Sequence, residues 1–257
     1  MTEESLMGVE VKIVPDNTAL NRAAAQEFQR LAESAIAQRG RFSVALSGGN
    51  TPRGVYLLLA QEHKTTLEWD KVHTFFGDER YVPPDHPDSN YRMTSESLLS
   101  KVSIPEKNIH RVRTELDPEA AAQDYEDQLR DFFHLTNNDW PRFDLIMLGL
   151  GDDGHTASLF PGTAALKEVS RRVVANWVEK LQSFRISFTF AVLNHAAEVL
   201  FLVSGAGKAQ ILADVLRPSG AVRFPAQRIK PENGRLLWLA DQDAARLLRF
   251  ANPPTVR

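Results

Sequence analysis

Apolar and polar positions along this chain follow two periods. Continuous apolar runs at Phe42–Leu46, Val72–Phe76, Leu145–Leu150 and Val199–Val203 are bounded by turn residues. Such runs predict strands buried on both faces of a parallel sheet. Val9–Val14 and Leu236–Ala240 read as further strands, Arg172–Trp177 and Arg185–Phe190 as two more, and Ile104–Val112 as a short strand or connector. Leu20, Ala24, Phe28, Leu31 and Ala35 fall at helical spacing and predict a helix over Asn17–Gln38, ended by Gly40. A second stripe, Ala121, Tyr125, Leu129 and Phe132, follows Asp117 as cap and Pro118 as first helical residue. Helices are also expected from Pro52, with Thr51 as cap, from Lys208 to Leu216, and from Asp243 to Phe250, while Asn194 is expected to cap a short turn. This alternation of strand and helix predicts one doubly wound α/β domain with a mostly parallel sheet.

Composition narrows the function classes. Of 257 residues, 43% are hydrophobic and 25% charged, as in ordinary globular proteins, and the net charge of -3 predicts no nucleic-acid partner and no attraction to anionic membranes. There is no cysteine, which excludes thiolate chemistry and fits a reducing compartment. The first residues, M-T-E-E-S-L-M, lack the apolar core of a signal peptide, and no run reaches the roughly 20 apolar residues of a membrane span. A cytoplasmic protein is expected.

The candidate chemistry lies after the strands, where open α/β sheets bind ligands. The Leu145–Leu150 run leads into a Gly-rich turn with Asp152, Asp153, Gly154 and His155, so a potential general base has a carboxylate beside it. The Phe42–Leu46 strand leads into Ser47, Gly48, Gly49, Asn50 and Thr51, a turn that opens a helix and predicts an anion site. Asp78, Glu79 and Arg80 begin a long polar loop, and Glu179–Phe184 is expected to reach back over a site. Ser204–Lys208, S-G-A-G-K, reads as a second phosphate turn. It lacks the Walker pattern, because Leu202 and Ala209 occupy positions that need Gly and Ser or Thr. A small-molecule monophosphate fits these features better than a nucleotide. Two other readings stay open. The first is a metal held by Asp152, Asp153 and His155, whose spacing matches no metal motif. The second is Ser47 as nucleophile in A-L-S-G-G, a near miss to the nucleophile elbow.

Taken together, Ser47–Pro52, Gly77–Arg80 with Ser89–Met93, Phe143–Gly162, Arg185–Thr189, Lys208-Ala209 and Phe224–Ala226 resemble the 6-phosphogluconolactonases of the glucosamine-6-phosphate isomerase/deaminase-like superfamily. The resemblance spans nearly the whole chain and implies a single domain, residues 1–257, with a doubly wound, Rossmann-like three-layer fold. It also implies hydrolysis of 6-phospho-D-glucono-1,5-lactone without cofactor or metal, by a monomer or homodimer. It assigns His155 as base, Arg80 to the oxyanion, and Asp78 or Asp153 to orient them. Ser47, Gly48, Gly49, Asn50, Thr51, Asp153, Gly154, Arg185 and Lys208 are expected at the substrate. Position 152, often proline in the family, is Asp here. The deaminase branch carries a glutamate in the matching turn, where this chain has Leu159 and Phe160, and a tyrosine where it has Arg80. A deaminase-type enzyme and a non-catalytic sugar-phosphate binder are the alternative readings.

Overall fold

The computed structural model describes residues 2–6, 9–136, 138–217 and 222–248. Among these described residues there are ten strands: β1 (Thr2–Leu6), β2 (Val9–Val14), β3 (Phe42–Leu46), β4 (Val72–Phe76), β5 (Asp78–Arg80), β6 (Leu145–Gly149), β7 (Val173–Val178), β8 (Ser183–Phe188), β9 (Glu198–Val203) and β10 (Arg235–Asp241). The helices are α1 (Asn17–Arg39), α2 (Asn50–Glu62), α3 (Asn90–Thr94), α4 (Pro118–Phe133), α5 (Phe190–Asn194), α6 (Ala209–Leu216) and α7 (Gln242–Ala245). The main sheet runs β1-β2-β10-β9-β6-β3-β4. Six of its strands are parallel, and β1 adds an antiparallel edge. The doubly wound, mostly parallel sheet expected from the apolar runs is therefore what the chain forms.

Alternate side chains of each strand enter opposite cores. Val44, Leu46, Met147, Leu200 and Leu239 pack with Phe28, Tyr56 and Leu59 of α1 and α2. Ala45, Ile146, Leu148, Phe201 and Trp238 pack with Tyr125 and Leu129 of α4 and Leu212 of α6. Each strand thus needs apolar residues on both faces, which is why β3, β6 and β9 read as unbroken apolar runs.

Several local expectations are corrected. β7 and β8 do not join the main sheet. With β5 they form a three-stranded antiparallel sheet in the order β5-β8-β7. Thr51 does not cap α2: the helix begins at Asn50 behind Gly49, whose φ of 106° is left-handed and whose cap position carries no side-chain bond. Asn194 ends α5 rather than capping a turn, and its amide pins the loop beyond, bonding Lys230 N at 2.7 Å and Arg228 O at 3.0 Å. The closing helix is the single turn Gln242–Ala245, and the expected end at Phe250 lies outside the described residues. By contrast Gly40 ends α1 with φ 74°, as a helix C-terminus favours.

Candidate active site

The loops that follow β3, β4, β6 and β9 meet in one cleft of about 720 Å³. Because these strands are parallel neighbours, their carboxyl ends converge at one edge of the sheet. The cleft wall includes Ser47, Gly48, Gly49, Asp78, Arg80, His155, Arg185 and Lys208 of the sequence-expected residues. Asn50 and Thr51 sit in the first turn of α2, and Asp153 and Gly154 lie behind the wall, with Asp153 facing an adjoining cavity of about 570 Å³.

The turn after β6 is built to present His155. It is closed by Gly151 N donating to His155 O at 2.9 Å and Gly154 N to Gly151 O at 3.0 Å. Thr156 Oγ1 donates to Gly149 O at 2.9 Å. Asp153 Oδ1 accepts from the His155 backbone at 3.2 Å and lies 2.5 Å from Nδ1 of its ring. A carboxylate on Nδ1 places the proton there and leaves the Nε2 lone pair as the basic position. Nε2 makes no hydrogen bond among the described residues. The ring stacks on Phe160 at 4.0 Å. Both glycines of the turn are required. A Cβ on Gly151 would stand 2.0 Å from the His155 ring, and one on Gly154, at φ 76°, would stand 2.6 Å from Phe224. Burial opposes ionisation of Asp153, yet the ammonium of Lys180 and the imidazole of His155 together hold its carboxyl at about 2.

Arg80 and Arg185 come from the small sheet, where they are register partners on β5 and β8. Arg80 Nη1 donates to Asp88 O at 2.8 Å, and Arg185 Nη1 to Ser183 Oγ and Phe184 O at 3.1 Å. Burial first, and then the neighbouring Arg80, lower the pKa of Arg185. Asp78 is buried and accepts from Ser158 Oγ at 2.6 Å. Glu79 is no solvated loop acid. It is buried and accepts from the backbone N–H groups of Arg80 at 2.8 Å, Asn90 at 2.7 Å and Tyr91 at 2.8 Å, so it anchors the loop that frames the cleft. Its burial, opposed by those bonds, raises its pKa.

The two Gly-rich turns differ. At Ser47–Thr51 no side chain caps α2, so its first backbone N–H groups remain available to an anion. Gly48 admits Asn90 close by, since a Cβ there would meet Asn90 Oδ1 at 1.8 Å. Ser47 Oγ is buried at the cleft with no partner among the described residues. No hydrogen bond joins it to His155, and the nucleophile reading gains no support. At Ser204–Lys208 the expected phosphate turn is already filled. Asp241 takes Ser204 Oγ at 2.5 Å and Gly205 N at 3.0 Å, and of this segment only Lys208 lines the cleft. Lys208 Nζ lies 2.5 Å from Asp152, which lowers the pKa of that carboxyl.

Sequence reasoning missed Lys180, Asn90, Ser158 and Phe160, all on the cleft wall. Lys180 sits in the Glu179–Phe184 segment that was expected to reach over a site. The cleft therefore sets Arg80, Arg185 and Lys208 around an imidazole whose carboxylate partner, Asp153, is itself paired with Lys180. That is the chemistry of a site that takes a small anion beside a general base.

Comparison with known proteins gives the family. The family of glucosamine-6-phosphate isomerases/6-phosphogluconolactonase matches residues 15–238, and the chain belongs to it. A 6-phosphogluconolactonase of Synechocystis sp. is 48% identical over 217 residues, which cover 84% of this chain and 88% of the relative. A 6-phosphogluconolactonase of Nostoc sp. is 44% identical over 236 residues, covering 91% and 96%. Among solved structures, the 6-phosphogluconolactonase of Trypanosoma brucei superposes with a TM-score of 0.84 at 30% identity, over 93% of this chain and 98% of that one.

Proposed function

We propose that this protein is an enzyme that hydrolyses 6-phospho-D-glucono-1,5-lactone to 6-phospho-D-gluconate, the second step of the oxidative pentose phosphate pathway. Its high identity to relatives named 6-phosphogluconolactonase supports the substrate. The observation that carries the chemistry is the Asp153–His155 pair, with Nε2 unbonded among the described residues, beside a cleft lined by cations. In this reading His155 Nε2 takes a proton from water as the water oxygen attacks C1 of the lactone. Charge builds on the carbonyl oxygen, and Arg80 stabilises it. The C1–ring oxygen bond then breaks, and the imidazolium returns its proton to the leaving oxygen. Asp153 orients His155, and Asp78, held by Ser158, orients the groups on β5.

The phosphate and sugar hydroxyls fall to Ser47, Gly48, Gly49, Arg185 and Lys208. The open N–H groups at Asn50 and Thr51 contribute through the backbone rather than the side chains. Gly154 serves by keeping the turn clear of Phe224. The reading needs no metal and no cofactor, and it treats residues 1–257 as one working unit in the cytoplasm, as monomer or homodimer. No helix among the described residues is long and apolar enough to cross a membrane.

The test is hydrolysis of freshly made 6-phosphogluconolactone, followed through a coupled 6-phosphogluconate dehydrogenase with the spontaneous rate subtracted. Turnover well above background is expected, with no ammonia from glucosamine 6-phosphate. His155→Ala should lower kcat roughly 10²- to 10⁴-fold. A folded wild-type protein that binds the sugar phosphate without turnover would replace this reading with the non-catalytic binder.

A further inference from the structure

Lys180 lies in the hairpin between β7 and β8. Its ammonium pairs with Oδ2 of Asp153, while Oδ1 of the same carboxylate holds Nδ1 of His155. The ammonium also sits 4.7 Å from the centre of the Phe160 ring, the ring on which His155 stacks. Cation, carboxylate, imidazole and phenyl ring thus form a closed circuit around the base. The hairpin that delivers Lys180 is itself tied down. Gln182 Nε2 bonds both the carbonyl and the carboxylate of Glu179 at 2.9 Å, and Trp177 Nε1 bonds that carboxylate at 2.8 Å.

We propose that Lys180 is a positioning residue for His155, acting through the far oxygen of Asp153. The inference rests on His155 being the base. Two effects follow from the geometry. A carboxylate engaged at one oxygen only can swing, whereas Asp153 is held at both, so its hold on Nδ1 is directional. An unscreened carboxylate beside an imidazole also favours the imidazolium, which cannot accept a proton. The ammonium on Oδ2 offsets that pull. Other charged groups around this turn are Asp152 on the turn itself, Lys208 bonded to Asp152, and Glu179 beside Lys180. Across the cleft stand Arg80, Asp78 and Asp88, with Arg185 on β8. Arg223 precedes the Phe224 that covers Gly154. Of these, Lys180 alone bonds the Asp153 carboxylate besides His155.

The experiment compares full-length wild type, Lys180→Met, Lys180→Arg and His155→Gln. It records pH–rate profiles of lactone hydrolysis and NMR titration of the histidine C2–H signals, with His155→Gln identifying the His155 signal. In Lys180→Met, kcat should fall roughly ten- to a hundred-fold, the scale of a misplaced catalytic group. KM should stay unchanged. The acid limb of kcat/KM and the titration midpoint of the His155 signal should both move to higher pH. Lys180→Arg should restore the profile. A rise in KM with the acid limb and midpoint unmoved would overturn the proposal and make Lys180 a phosphate contact. An unchanged midpoint with unchanged kcat would overturn it outright. Failure of the underlying reading is a separate result: His155→Gln would stay as active as wild type, whatever the midpoint in Lys180→Met.

Discussion

Arg80 and Arg185 stand directly opposite each other on neighbouring antiparallel strands. Like charges in that relation destabilise a sheet, and burial makes the charge of Arg185 costlier still. The arrangement makes sense where an anionic substrate arrives, with its phosphate at Arg185 and the charge developing on its carbonyl oxygen at Arg80. Arg185→Met should therefore leave the melting temperature equal to or above that of wild type, measured without ligand. It should raise KM for the phosphorylated lactone about 10- to 150-fold, the worth of one charge-assisted contact of about 1.5–3 kcal/mol. A lower melting temperature with an unchanged KM would make Arg185 structural.

Gly151 leaves the space that the His155 ring occupies. A methyl group there would stand 2.0 Å from the His155 ring, and the ring would have to leave its place against Asp153 and Phe160. Gly151→Ala should keep the fold by circular dichroism yet lose kcat by roughly 10²- to 10⁴-fold, the loss expected for His155→Ala. Near-native turnover in a folded Gly151→Ala protein would show that the base does not need this position.

What could be read from the sequence follows from how far apart the determinants lie. β3, β4, β6 and β9 were legible because burial on both faces demands an unbroken apolar run. β5 was not, since D-E-R carries no apolar signal and becomes a strand only by pairing with β8. The hairpin β7–β8 was legible as two strands, but not as a separate sheet. In the site, His155 with Asp153 was legible because two residues suffice to form the contact. Lys180 was not, because its partner is 27 residues away. The turn at Ser204–Lys208 looked like an anion site for the same reason: Asp241, which fills it, is 36 residues from Gly205.

That filled turn leads to a prediction about Lys208. Asp241 caps α7 through Ala244 N at 2.8 Å and also holds Ser204 and Gly205, so one carboxylate fixes the segment that carries Lys208. Asp241→Ala leaves Gly205 N–H without its acceptor, a cost of about 1–3 kcal/mol, and should lower the melting temperature. It should also raise KM, in the direction of Lys208→Ala, with less effect on kcat. If Lys208→Ala lowered kcat and left KM alone, Lys208 would not be a phosphate anchor.

The amino-terminal ends of β9 and β10 supply a pH dependence of stability. There Arg235 Nη1 bridges Glu27 at 2.5 Å and Glu198 at 2.6 Å, with Arg30 bonded to Glu27. Arg30 above all holds Glu27 down at about 2, while burial pushes Glu198 up to about 7 from an ordinary 4.5. The neutral form of Glu198 thus stabilises the fold. That contribution is complete below about pH 4.5 and is lost as pH rises through about 7. Glu27 works in the opposite sense, stabilising above about pH 4.5 and losing that effect as pH falls through about 2. Glu198→Gln keeps an oxygen acceptor for Arg235 and cannot ionise. Its melting temperature, compared with wild type from about pH 5 to about pH 8, should gain on wild type steadily as pH rises. A constant offset across that range would mean that Glu198 is already ionised at the bottom of it, and that Arg235 and Arg30 together balance both carboxylates.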